Sequence, residues 1–208
     1  MRRRLVVLLF ILSGAAALAY QVAWTRHLVL VFGNTTRAVS LILAAYMLGL
    51  ALGSEAGGRL ADRARRPVVW YAVFEAAIGA FALGFPWLVD GVRGAYLALG
   101  TGASPVLFAG AFAVLLVPTF LMGTTLPLLV RAVVRDPART GGDVGLLYGA
   151  NTAGAVLGTA VTGFWLIEAA GVLGATRWAA ALNVVIGLLA LLVPRLDPGP
   201  APASPAAG

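Results

Sequence analysis

The chain has 208 residues, 61% of them hydrophobic and 11% charged, with a formal net charge of +7 and no cysteine. A soluble fold of this size has too little interior to hide so much apolar surface, so lipid is the expected solvent. Disulfides and cysteine chemistry are excluded, and the single histidine, His27, argues against a histidine-rich metal site. The positive charge does not read as nucleic-acid binding, because the arginines stand singly or in small groups between long apolar runs.

A hydrocarbon core of ~30 Å needs roughly 20 apolar residues as helix. Six segments meet that length: 5–25, 38–57, 67–89, 105–130, 144–167 and 172–194. The first follows MRRR and passes Ala17-Leu18-Ala19, which also fits a signal peptide with its cleavage site. Apolar character continues through Val22, Ala23 and Trp24, which favours an uncleaved span. The fourth carries Pro118 and Pro127, so a kink or tilt is expected, with Thr119, Thr124 and Thr125 available to the carbonyls those prolines free. The Pro/Ala-rich tail 196–208 has no core-forming pattern and reads as disordered. The expected fold class is all-α, a six-helix transmembrane domain over residues 1–195.

Arginine distribution gives an orientation. With the N-terminus inside, Arg2, Arg3, Arg4, Arg59, Arg63, Arg65, Arg66, Arg131, Arg135, Arg139 and Arg195 face the cytoplasm. Only Arg26, Arg37, Arg93 and Arg177 fall outside, and the positive-inside rule selects this arrangement over its inverse. Both termini are then cytoplasmic, in a plasma or inner membrane. GRLADRARR, 58–66, becomes the loop between spans two and three, its arginines attracted to anionic headgroups by about 1 kcal/mol each.

Ionisable and amide groups within the spans are the candidate site residues. Glu75 lies eight residues past Pro67, about 12 Å along a helix axis. Its carboxylate fits an organic-cation site or a proton relay, and equally a protonated acid hydrogen-bonded to a neighbouring helix. Glu55 is four residues before Arg59, the spacing of a local ion pair. Glu168 falls at the outer boundary, within reach of Arg177. Tyr20 and Trp24 share a helix face and fit either an interfacial aromatic belt or a cage for a cation. Gln21, Asn151 and Asn183 each require a hydrogen-bond partner in lipid, and bonds among the three would meet that need.

Residues 58–66 also carry Gly58, Asp62, Arg63, Arg65 and Arg66 in a pattern that resembles the loop signature of the major facilitator superfamily. The chain lacks that signature's glycine before the last basic pair and is one residue shorter. A longer resemblance runs from about residue 12 to 190. SGAAALAYQVAWTRHLVLVFGNT, AAYMLGLALGSEAGGRLADR, YAVFEAAIGAFAL, PTFLMGTTLPLL and LYGANTAGAVLGTAVTGFWLIEAAG look like the membrane domain of fused major facilitator/spermidine synthase-like proteins. One departure is Glu168, where that family is expected to carry proline.

The resemblance implies half of a facilitator-like fold and a link to polyamine metabolism. The family's catalytic part is an aminopropyltransferase-like domain on a doubly wound sheet. After Pro194 only fourteen residues remain, too few for one βαβ unit of ~30 residues. The chain is therefore expected to be non-enzymatic and cofactor-free, an anchor or accessory for a separately encoded aminopropyltransferase-like domain. The alternative is a polyamine or organic-cation transporter in which two six-helix copies pair. In facilitators, spans two and five face the other half. Gly49, Gly53 and Gly57 on span two, with Gly154 and Gly158 on span five, form small-residue faces suited to close helix contact. Those faces serve packing within the chain or pairing as a homodimer.

Overall fold

The computed structural model describes residues 2–32, 36–100, 104–134 and 140–193. The described residues are all-helical: α1 (Arg2–Phe32), α2 (Thr36–Arg63), α3 (Pro67–Leu99), α4 (Ser104–Val133), α5 (Thr140–Val161) and α6 (Ile167–Ala190). A π-helical turn, Thr162–Leu166, joins the last two. Five helices are long and apolar enough to cross a membrane, the fifth being the continuous stretch of 51 residues from Thr140 to Ala190. The tail 196–208, with Arg135, Arg139 and Arg195, lies outside the described residues.

Helix α2 runs past the expected end of its span. Nothing after Gly58 breaks it, since Arg, Leu and Ala are good helix formers, and Glu55 pairs with Arg59 at 2.8 Å on its exposed face. The break comes from Pro67, which opens α3 and holds Arg66 out of helical geometry at φ −135°, ψ 72°. Gly58, Asp62 and Arg63 are therefore helical, and only residues 64–66 link the two helices. The nine-residue loop expected from the sequence shrinks to three.

Gly171 interrupts the last stretch at φ 71°, ψ 175°, a left-handed value that glycine adopts without steric cost. The chain reverses there. Helix α5 runs alongside α1 in the same direction, with Asp143 paired to Arg3 and Gly158 packed on Ala15. Helix α6 runs the other way. Val6 and Phe10 cluster with Ile186 and Val193, whereas Ala16 and Tyr20 cluster with Ala179 and Ala180.

The main packing runs α2 on α4, α4 on α3, α3 on α6, α6 on α1, and α1 on α5, with smaller contacts of α4 with α5 and of α1 with α2. Small residues set its tightest seams. Gly49 faces Thr119, Gly53 faces the Phe120 carbonyl, and a Cβ on Gly57 would lie 2.6 Å from the Thr124 Cα. Gly154 meets the Ile11 carbonyl and Gly158 the Ala15 backbone. Both glycine faces are thus filled within the chain, so a second copy would need other surfaces.

The threonines of α4 act one turn back. Thr119 Oγ1 donates to the Leu115 carbonyl at 2.8 Å, Thr124 to Leu121 at 2.6 Å, and Thr125 to Met122 at 2.7 Å. The carbonyls that Pro118 and Pro127 leave free by their missing N–H belong to Val114 and Gly123. The hydroxyls therefore do not take the compensating role expected of them. Their own i−3 and i−4 carbonyls are closer.

Candidate functional site

Three helices bring one polar side chain each to the middle of the bundle: Ser13 from α1, Glu75 from α3 and Asn183 from α6. Each sits where the two apolar clusters meet. Phe10, Tyr71 and Ile186 belong to one cluster, and Ala16, Ile78 and Ala180 to the other. Glycine makes the approach possible. A Cβ on Gly79 would come within 3.1 Å of the Ala180 carbonyl and 3.2 Å of the Asn183 Cβ. A Cβ on Gly187 would come within 3.1 Å of the Ala72 carbonyl. Close backbones let a short asparagine reach across to a glutamate.

Glu75 is fully buried. Ser13 Oγ donates to its Oε1 at 2.6 Å, and Asn183 Nδ2 donates to Oε2 at 2.5 Å. The Tyr20 hydroxyl completes the line by donating to Asn183 Oδ1 at 2.6 Å. Tyr71, one turn before Glu75, donates to the Leu9 carbonyl at 3.4 Å. Every donor in the line from Tyr20 through Asn183 points toward the carboxylate. Both oxygens of the carboxyl group are thus engaged, one by Ser13 and one by Asn183. Among the described residues no basic side chain forms an ion pair with it.

A cavity of about 260 Å³ adjoins this centre, with Ser13, Gln21, Tyr46, Thr125, Asn151 and Asn183 among its lining. The Tyr46 hydroxyl and Asn151 Oδ1 are buried without a hydrogen-bond partner. Such orphaned groups are costly in a low-dielectric interior, and a polar ligand in this cavity could satisfy them. Asn151 owes its position to Gly14, whose missing side chain lets the Asn151 backbone carbonyl close against α1.

The candidate residues from sequence divide accordingly. Gln21, Asn151 and Asn183 line one cavity, but they are not the mutual hydrogen-bonding set expected of them, since Asn183 is committed to Glu75 and Tyr20. Trp24 is fully buried and stacks on Tyr20 at 4.8 Å and on Phe85 at 4.4 Å. Being fully buried it is not a lipid-facing belt residue, and it does not line the cavity beside Glu75. Gly58 and Asp62 line a separate cavity with Pro127 and Arg131 between α2 and α4. Arg63, Arg65, Arg66 and Glu168 are exposed. Ser13, Tyr46 and Tyr71 escaped the sequence reading, and Thr125 was read there only as a partner for a proline-freed carbonyl. Their only signal there is a hydroxyl inside an apolar run, which alone does not separate a lining residue from a packed one.

No family model matches the chain, and no curated protein or solved structure matches it.

Proposed function

We propose that the chain is the membrane module of a spermidine synthase-like system, and that it binds a small organic cation in the cavity beside Glu75. Aminopropyl transfer itself belongs to an aminopropyltransferase-like domain that the module accompanies. The observation that carries the binding site is the fully buried Glu75 carboxylate, accepting on both oxygens, next to a cavity with two unpartnered polar groups. Burial disfavours the ionised carboxylate while it has no counter-ion, and a bound cation would supply one.

The module crosses the plasma or inner membrane six times, with both termini cytoplasmic. Two observations favour six crossings over five. The 51-residue stretch would measure about 77 Å as one straight helix, against a hydrocarbon core of ~30 Å. It also turns back at Gly171, with α5 and α6 running in opposite directions along α1. The arginine bias supports the orientation.

A second reading, transport by two six-helix copies in a facilitator-like arrangement, draws on the same cavity. Pairing would use the exposed apolar faces of α2 and α5, where Met47 and Val156 stand out, since the glycine faces are already occupied. Radiolabelled putrescine and spermidine decide between the readings. Saturable binding to purified protein that Glu75→Gln abolishes supports the site. Flux into proteoliposomes adds transport, and co-purification with an aminopropyltransferase-like protein favours the accessory role. Absence of binding by every amine tried, monoamines as well as putrescine and spermidine, would remove the proposal.

A further inference from the structure

The chemistry of the cavity wall narrows the ligand beyond "organic cation", an inference that rests on the reading of this cavity as a cation site. We infer that the cavity is built for a singly charged primary ammonium ion with a short apolar tail.

Hydrogen-bond direction comes first. Ser13 has committed its hydroxyl proton to Glu75, and Thr125 has committed its own to the Met122 carbonyl. Each oxygen can therefore only accept from the cavity. Asn151 Oδ1 is an acceptor by nature and has no partner. Asn183 spends one Nδ2 hydrogen on Glu75 and receives Tyr20 at its Oδ1. The unpartnered Tyr46 hydroxyl keeps both its proton and its lone pairs. The oxygens of Ser13, Thr125 and Asn151, which can only accept, suit a ligand rich in N–H donors. An anionic ligand would also meet the Glu75 carboxyl behind Ser13 and Asn183.

Charge comes second. No acidic or basic residue lines the cavity itself. The nearest ionisable group is the Glu75 carboxyl, one hydrogen bond behind Ser13 and Asn183. Ionised, it balances one positive charge. A dication would bring a second charge into a low-dielectric site with nothing to offset it.

Size and polarity complete the argument. The remaining lining includes Leu18, Met47, Leu50, Ile78 and Met122, which suits a hydrocarbon tail. At about 260 Å³ the space falls below the range of ~300–1,000 Å³ typical of drug-sized ligands. A bare alkali ion would satisfy the oxygens and leave that apolar volume empty.

The test is calorimetric titration of the full chain in detergent or nanodiscs at fixed ionic strength. The probes are butylammonium, putrescine, tetramethylammonium and sodium. Butylammonium should bind. Putrescine, with the same four carbons and a second charge, should bind at least tenfold more weakly, and tetramethylammonium, which has no N–H, should not bind measurably. Tyr46→Phe and Asn151→Leu should each weaken butylammonium by roughly tenfold, the usual scale for one lost hydrogen bond to a charged group. Both leave the Ser13–Glu75–Asn183 bonds intact, and monodisperse elution with unchanged helical circular dichroism checks that they fold.

Putrescine binding as tightly as butylammonium, or more tightly, overturns the single-charge inference and leaves the cation site standing. Tetramethylammonium matching butylammonium, or both variants binding like wild type, overturns the N–H recognition. Sodium saturating the site and excluding butylammonium overturns the organic ligand. Silence from every probe removes the cation site together with this inference.

Discussion

Asn183 Nδ2 donates to Glu75 Oε2 at 2.5 Å, and this one bond ties α6 to α3 at the level where the two apolar clusters meet. Hydrogen bonds between transmembrane helices average about 0.6 kcal/mol and reach ~1.7 kcal/mol. A bond to a carboxylate with no cationic partner belongs at the upper end. Asn183→Leu should lower stability by ~1.5–2 kcal/mol, because it also strips the acceptor from Tyr20. Reversible unfolding in mixed micelles measures this. A loss no larger than that of Leu182→Ala would mean that the bond does not organise the core.

Ser13 and Asn183 act on the same carboxylate from opposite oxygens, so their effects should not add. With either partner removed, Glu75 is left half-satisfied, and removing the second costs less because the group can relax or protonate. A double-mutant cycle of Ser13→Ala and Asn183→Leu should give a coupling energy of about 0.5–1 kcal/mol. Additivity within error would place the two bonds in separate networks.

How much of this was legible in the sequence differs from element to element. Apolar run length gives the helices, because the bilayer sets a length that composition alone can meet. Glu75 was also visible, as a carboxylate stands out in an apolar run. Asn183 was visible too, as an amide in lipid, but its pairing with Glu75 was not. Ser13, and the cavity residue Tyr46, look like ordinary span residues until the backbone approach at Gly79, Gly14 and Gly53 decides which faces meet. The same limit explains Trp24, whose type suits a membrane interface but whose surroundings are Tyr20 and Phe85. The end of α2 was misplaced for a local reason. Charge marks where a helix leaves lipid, and only Pro67 marks where it stops.

Glycine positions separate by what a side chain would meet. At Gly53 an added Cβ would run into the Phe120 carbonyl, whereas at Gly84 it would meet nothing within 4 Å. Gly53→Val should therefore push α2 from α4 and cost ~1–3 kcal/mol or more through overpacking. Gly84→Ala should be neutral or slightly stabilising, because alanine favours helix by about 1 kcal/mol over glycine. Thermal inactivation of the two purified variants compares them directly. Equal behaviour would contradict the tight α2–α4 seam.

The absence of cysteine from the natural chain makes topology directly measurable, since every introduced thiol is the only one. Arg65 sits in the three-residue link between α2 and α3, and Glu168 is exposed near the turn at Gly171. Arg65→Cys should react with a membrane-impermeant maleimide only after the cytoplasmic face is opened, and Glu168→Cys should react in intact cells. The pair also separates six crossings from five. If residues 140–190 crossed once as a tilted or kinked helix, position 168 would lie within or beyond that single pass. A thiol at Leu192, exposed past the end of α6, would then label from outside. With six crossings Leu192→Cys labels only from inside, on the same side as Arg65→Cys and opposite Glu168→Cys. Labelling of 168 and 192 from the same face would rule out the reversal at Gly171 as a membrane hairpin.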